Sequence, residues 1–350
     1  MRAGGDSHGR GKYGRGESTV CLMAKQLGMD VFPVDIGVVR PIKSEKVLQF
    51  SVRRGTANFA HEPAMTRKEA LEAVEIGIKM AEMCAEKGYS LLIGGEMGIG
   101  NTTTSAAVTA ALTGVEAAAV TGRGAGLSTV GLERKIAVIE AALALHKPDP
   151  NDSIDVLHKV GGLDIAGLCG LYLGAAAQRI PVVLDGVISC AAALLAVRLC
   201  PQSVHFMVAA HRSDEPASIL LLNALGKRPF LTAGMHLGEG TGAAAGVALF
   251  GPGTGAISGN GELRGHWNRG ISAAKVVVCL TDSTNFYVNI VCNADKCDLL
   301  HSLQEYCMQQ KAPSVNSVLT VQFLAFQRFI RDICGDFVVE LLLLRIVFKR

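Results

Sequence analysis

Glu239 stands in the segment Gly238-Glu239-Gly240-Thr241-Gly242, a carboxylate framed by glycines. Glycine has no Cβ, so its backbone adopts positive φ at little cost and lets a ligand approach closely. A carboxylate held this way is placed for chemistry rather than for packing. A second segment of the same kind lies upstream: Gly94-Gly95-Glu96-Met97-Gly98-Ile99-Gly100-Asn101-Thr102-Thr103-Thr104. Two acids in glycine-rich segments, the upstream one followed by threonine hydroxyls, point to a phosphorylated substrate with a carboxylate nearby.

Neither of the common phosphate signatures fits. Gly95 to Gly100 is followed by Asn101 where a Walker A loop needs lysine, and Gly122-Arg123-Gly124-Ala125-Gly126-Leu127 lacks the last glycine of the dinucleotide fingerprint. What remains is a run of backbone donors at a helix start, threonine hydroxyls, and Lys135 in the next long helix. The plainer alternatives are a tight turn at Gly94–Asn101 and an exposed surface glutamate at Glu239. His211 and Ser213 form a nucleophile-like pair, but no serine sits in a GxSxG elbow and no acid is identifiable from the sequence to orient the histidine. Asp185 follows an apolar run, where it either caps the next helix or meets a ligand.

The elements that carry these residues follow from periodicity. A helix from Thr19 to Leu27 is capped by Gly28, and Val31–Val39 is a short buried strand. Thr66, with Glu69 three residues on, forms a capping box for a helix that runs through Cys84 and stops at Gly88. Tyr89–Ile93 is a strand, Gly94–Asn101 a loop, and Thr102–Leu112 a helix, the order that presents a helix N-terminus to phosphate. Helices follow at Gly131–His146, Ile154–Val160, Leu163–Gln178, Val187–Leu199 and Ala217–Leu225, with strands at Pro181–Asp185 and Val204–Ala209. The expected fold class is α/β, a doubly wound, mostly parallel open sheet of Rossmann-like type with helices on both faces. Ligands of such sheets sit beyond the C-terminal strand ends, where Glu96, Asp185, His211 and Ser213 fall.

Composition narrows the partners. Of 350 residues, 49% are hydrophobic and 5% aromatic, so a sizeable core must be built from Ala, Val, Leu and Ile. With 34 basic against 31 acidic residues the net charge is +3, and no Lys/Arg stripe offers a nucleic-acid footprint. The expected partner is a small molecule. The 10 cysteines form no CxxC pair or Cys/His cluster at zinc spacing, so reduced thiols are expected and no metal site, with Cys292 and Cys297 incidental. No N-terminal apolar core of a secretory signal is evident. Val182–Cys200 contains Asp185 and Arg198, and Phe337–Phe348 is too short to span a bilayer. A cytoplasmic protein without a membrane partner is the expectation. Residues 1–15 are expected to form a flexible tail, 16–250 the α/β core, and 251–350 a divergent segment without an assigned role. Within that segment, Gly251-Pro252-Gly253-Thr254-Gly255 echoes the glycine loops but lacks the acid.

Five stretches together resemble one family closely. They are GGEMGIGNTTTSAAV (94–108), TGRGAGL with RKIAVIEAAL, the long run GGLDIAGLCGLYLGAAAQRIPVVLDGVISCAAALLA (161–196), AAHRSDEP (209–216) and LGEGTGAA (237–244). Over roughly residues 16–250 the chain is similar to nicotinate-nucleotide:dimethylbenzimidazole phosphoribosyltransferases of cobalamin lower-ligand assembly. The resemblance implies transfer of phosphoribose from nicotinate mononucleotide to 5,6-dimethylbenzimidazole, giving α-ribazole 5'-phosphate and nicotinate. It implies Glu239 as the general base and Glu96 on the ribose and base side of the pocket. Gly98, Gly100, Asn101 and Thr102, with Lys135 and Ser213, would hold the 5'-phosphate, and Asp185 is the remaining substrate-binding candidate. It implies no cofactor, no metal and a homodimer. Both ends depart from the family pattern, and its small second domain is expected to be incomplete or replaced. The alternative reading is therefore a non-catalytic nucleotide-binding remnant of the same fold.

Overall fold

The computed structural model describes residues 16–42, 44–258 and 276–281, with 250–258 and 276–281 described by their backbone. The expected tail at 1–15, the Cys292/Cys297 pair and the Phe337–Phe348 run lie outside the described residues.

Ser18 accepts the Cys21 N–H and caps helix α1 (Thr19–Gln26), which ends before Gly28 at φ 63°. Strand β1 is only Val34–Asp35 and pairs in parallel with β2 (Leu48–Gln49). The longer strand expected over Val31–Val39 is cut short because buried Asp35 turns the chain. Its Oδ1 accepts Val38 N–H at 2.9 Å and its Oδ2 takes Arg54 at 3.2 Å. Helix α2 (Arg67–Glu86) begins at the capping box foreseen at Thr66 and Glu69. Next come β3 (Leu91–Glu96), α3 (Asn101–Thr113), α4 (Ala117–Val120), α5 (Thr129–His146), α6 (Ser153–Val160) and α7 (Leu163–Ala177). They are followed by β4 (Val182–Leu184), α8 (Val187–Leu199), a 3₁₀ turn at Pro201–Phe206, β5 (Met207–Ala209), α9 (Ser218–Ala224), α10 (Thr241–Ser258) and β6 (Val276–Thr281).

The main sheet is parallel, in the order β5-β4-β3-β6. It is a small sheet in a mixed α/β structure, and its strands are near-continuous apolar runs because they are covered by helices. Helices α2 and α7 make the most intimate contact. A methyl on Gly170 would overlap the Val74 carbonyl, and one on Gly77 would overlap the Gly167 carbonyl. The small residues of α7 are there so that two backbones can touch, which brings α2 close enough to bury Ala73, Val74, Ile76 and Met80.

Three further stretches differ from the sequence reading. Gly94, Gly95 and Glu96 continue β3 instead of opening a loop. The two glycines leave room for Tyr172 and for the Glu239–Gly240 backbone, so their purpose is close approach rather than turning. Residues 204–206, expected in a strand, belong to the 3₁₀ turn that Pro201 starts, with its missing N–H at a position that needs no donor. Helix α10 passes through residue 250 and includes Gly251–Gly255, where a glycine loop was expected, and β6 from beyond that point enters the main sheet beside β3. No helix among the described residues is long and apolar enough to cross a membrane.

Candidate active site

The glycine-framed acids meet. The Gly238-Glu239-Gly240 backbone lies against the end of β3, where Glu239 N–H donates to the Glu96 carbonyl at 3.2 Å. A Cβ on Gly95 would stand 2.7 Å from Gly240 N, and one on Gly238 would stand 2.8 Å from Glu96 Oε1. These glycines let the acids come together. The turn requires left-handed backbone throughout, with φ 82° at Gly238, 62° at Glu239 and 80° at Gly240. For a glutamate this is unfavourable. The other described non-glycine residues at positive φ, Lys147 and Arg179, follow helix C-termini, where such a conformation closes the helix. Glu239 instead precedes a helix, so its strain is held by the surrounding contacts, a pattern that clusters at functional sites.

Glu96 is buried, 6% exposed, as the last residue of β3. Asn101 donates its Nδ2 to Glu96 Oε2 and also to Asp164 Oδ2, the latter at 3.1 Å, so one amide bridges two buried carboxyls. Burial pushes the Glu96 carboxyl well above the usual carboxylate range, and nearby Asp164, Asp185 and Glu239 add to the rise while the Asn101 amide opposes it. A raised folded-state pKa means that this group's stability contribution is full below its unfolded value near pH 4.5 and is lost as pH rises toward the folded value. Glu96→Gln, neutral at every pH, should therefore melt higher than the parent at pH 7 to 8 and show no such gain near pH 4. A melting difference that does not grow between these pH values would contradict a costly buried carboxyl.

A second group of residues lies around the N-terminus of α3. Gly100, at φ 94°, begins that helix without a side-chain cap, and Asn101 N–H and Thr103 N–H turn back to the Gly98 and Gly100 carbonyls at 3.2 and 2.8 Å. Lys135, from the middle of α5, is 7% exposed and donates to Thr102 Oγ1 at 2.9 Å and to the Gly122 carbonyl at 3.0 Å. Burial lowers its pKa while the neighbouring Glu215 carboxylate works the other way. Ser213 is buried after β5, accepts Glu215 N–H at 3.4 Å, and lies close to Gly186. Because Asn101 and Thr102 are adjacent, the Lys135 group and the Glu96 group share one helix start. Helix N–H groups, hydroxyls and a buried ammonium suit an oxyanion.

Asp185 follows β4, yet the helix it caps is not the next one in sequence. Its Oδ2 accepts Gly240 N–H at 3.2 Å and its Oδ1 accepts Ala243 N–H at 2.9 Å, at the start of α10. His211 Nε2 lies 3.7 Å from Asp185 Oδ1, supplying the acid neighbour that the sequence did not identify. Burial disfavours the imidazolium, but the nearby Asp185 carboxylate, together with the Arg212 backbone, outweighs it and His211 is raised above its ordinary value. Sequence reasoning missed Asp164 and Glu215. Asp164 occupies the first turn of α7, where an acid is already accounted for by the helix dipole, so nothing local set it apart. It missed Cys21 of α1 as well, a thiol raised chiefly by burial, with Ser18 opposing the rise and the negative charge of Glu239 adding to it. Cys84, Cys169 and Cys190 are free thiols pushed up to about 12 by burial, and are packing groups.

Comparison with known proteins agrees with this arrangement. A family model described as Phosphoribosyltransferase matches residues 11–258. The chain is 50% identical over 236 residues to the nicotinate-nucleotide--dimethylbenzimidazole phosphoribosyltransferase of Acetivibrio thermocellus, covering 67% of each protein. With the protein of the same description from Roseiflexus castenholzii it shares 52% identity over 235 residues, again 67% of each. A crystal structure of nicotinate-nucleotide-dimethylbenzimidazole phosphoribosyltransferase from Thermus thermophilus superposes with a TM-score of 0.64 at 39% identity, covering 68% of this chain and 71% of that one. A family match over more than half the chain, together with about half of the aligned residues identical, shows that this chain belongs to the nicotinate-nucleotide:dimethylbenzimidazole phosphoribosyltransferase family.

Proposed function

We propose that this chain transfers the phosphoribosyl group of nicotinate mononucleotide to 5,6-dimethylbenzimidazole, releasing nicotinate and forming α-ribazole 5'-phosphate for cobalamin nucleotide-loop assembly, with Glu239 as general base. The observation that carries the reading is the docking of the strained Glu239 turn on Glu96 beside the α3 N-terminus and buried Lys135. A carboxylate thus stands next to an anion-binding helix start. In the reaction a benzimidazole nitrogen bonds to the ribose C1' while the bond from C1' to the nicotinate ring nitrogen breaks. That nitrogen is cationic in the nucleotide and leaves with the bonding pair, so departure needs no acid. Attack from the opposite face inverts the anomeric carbon. The benzimidazole N–H proton passes to Glu239, which raises the nucleophilicity of the incoming ring.

The 5'-phosphate would lie over Gly98, Gly100, Asn101 and Thr102 with Lys135 and Ser213. Glu96, kept uncharged over a wider pH range than an ordinary carboxyl, would face the ribose and base. A buried charged hydrogen-bond donor contributes about 1.5–3 kcal/mol, so Lys135→Met should raise KM for nicotinate mononucleotide by about tenfold to a hundredfold, with a smaller change in kcat. An unchanged KM would remove Lys135 from the phosphate site.

The strand order reverses beside β3, so Glu96 lies at a switch point of the kind at which doubly wound sheets bind ligands. This favours the doubly wound, Rossmann-like reading with helices on both faces. A cytoplasmic homodimer acting on these two small molecules, without nucleic acid or membrane, belongs to the same proposal and is supported by family membership. The test is release of nicotinate from nicotinate mononucleotide by the purified chain, with and without 5,6-dimethylbenzimidazole. Acceptor-dependent release is expected. Nucleotide binding without release in either case would instead identify a non-catalytic binding fold.

A further inference from the structure

Glu239 sits in a backbone conformation that glutamate avoids, and something must hold it there. Left-handed backbone at a non-glycine residue is unfavourable and persists only when neighbours over-determine it. One neighbour is the Glu96 carbonyl, which accepts Glu239 N–H. Thr241 closes the turn from the other side, its N–H and Oγ1 donating to the Gly238 carbonyl at 3.0 and 2.7 Å. Two further bonds converge on Asp185, which comes from a different strand end and is 3% exposed. Its carboxylate oxygens receive Gly240 N–H and Ala243 N–H, one residue before and within the first turn of α10. Gly240 is the residue directly after Glu239, so one of these bonds acts on the peptide that defines the Glu239 backbone.

Asp185 is itself fixed. Its N–H donates to Ser189 Oγ at 3.0 Å, and Ser189 Oγ is 2.6 Å from the buried Tyr172 hydroxyl. His211, 4% exposed, brings Nε2 to 3.7 Å from Asp185 Oδ1. Its ring lies flush on the first turn of α10, since a Cβ on Gly242 would overlap it. A carboxylate on the N–H groups of a helix start forms strong, charge-assisted bonds, and the helix dipole favours the negative charge there.

We infer that Asp185 is a positioning residue for Glu239: it clamps Gly240 and the first turn of α10, braced by His211, and so fixes the left-handed Glu239 turn over Glu96. The inference rests on Glu239 being the base. It gives Asp185 a different task from contacting substrate, and His211 a different one from activating Ser213.

The test is a double-mutant cycle of Asp185→Asn and Glu239→Gln, with steady-state kinetics on nicotinate mononucleotide and 5,6-dimethylbenzimidazole. D185N keeps size and polarity but offers an amide NH₂ or a single neutral acceptor to two N–H donors. Its kcat should fall about tenfold to a hundredfold, with KM for nicotinate mononucleotide changed by less than about threefold. The double variant should be no more than about threefold slower than E239Q alone, because a clamp has nothing left to position once the base is gone. Amide hydrogen exchange over residues 238–244 should quicken in D185N, a readout independent of turnover. If D185N does not fold, Asp185→Ser, smaller and still able to cap a helix, goes through the same cycle with the same non-additivity expected. A raised KM with unchanged kcat would make Asp185 a substrate contact, and losses that multiply in the double variant would give it a role independent of Glu239. Either result overturns the inference while the base remains. Full turnover by E239Q alone would overturn the base and the inference together.

Discussion

Glu239→Gln should bind nicotinate mononucleotide with its affinity nearly unchanged and turn over at about 10⁻² to 10⁻⁴ of the parent rate, the contribution of a positioned general base. The amide keeps the shape of the side chain, and the Glu239 N–H bond to the Glu96 carbonyl is a backbone bond that the substitution leaves in place. The Asp185 bonds to Gly240 and Ala243 are likewise to the backbone, so the turn should survive. The amide oxygen is far too weak a base to take the benzimidazole proton. Calorimetric titration with the nucleotide, set beside acceptor-dependent nicotinate release, checks both halves of the expectation. Retained turnover would mean that the incoming ring loses its proton elsewhere, and Glu96 would be a poor replacement. Its carboxyl holds its own proton to higher pH than an ordinary glutamate, because it is buried among other acids.

Gly170→Ala should be strongly destabilising. The α2 and α7 backbones approach so closely at this point that the new Cβ would overlap the Val74 carbonyl and come within 2.9 Å of Val74 Cα. Backbone cannot rotate aside as a side-chain tip can, so the helices must separate, which loosens the packing of Ala73, Val74 and Met80 beneath them. Overpacking of this kind costs about 3 kcal/mol at the upper end of the usual range. For a core of this size that corresponds to a melting temperature lower by about 6–12 °C. Thermal unfolding followed by circular dichroism measures it. A shift below about 2 °C, the smallest expected for even a 1 kcal/mol loss, would show that α2 and α7 can move apart almost freely.

The two expectations differ in how they could be reached. Glu239 was conspicuous in the chain because an acid between glycines is unusual, and the threonine run after Glu96 marked a helix start suited to phosphate. The capping box at Thr66, the stop at Gly88 and the extents of α5, α6 and α8 were equally visible, since caps and periodicity act within a few residues. The glycines of α7 looked from the sequence like a small-residue helix, without a sign of which backbone would lie against them. Gly94 and Gly95 suggest a loop for the same reason, because the residues that need their missing Cβ atoms, Tyr172 and Glu239–Gly240, are distant in the chain.

The sequence by itself determined the α/β alternation, the apolar core composition, the acids set among glycines, and a family likeness specific enough to imply a reaction. These depend on local periodicity, backbone preference and motif order, which short stretches of chain carry complete. Only the tertiary structure decided that Asp164 joins Glu96 through Asn101, that Asp185 caps a helix beginning more than fifty residues later, and that β6 lies beside β3. Hydrogen bonds and close backbone approaches across such separations leave no periodic trace in either partner. The acid at position 185 reads the same whether it caps the next helix, meets a ligand or clamps a distant turn, and folding selects among these by which N–H groups it brings within reach.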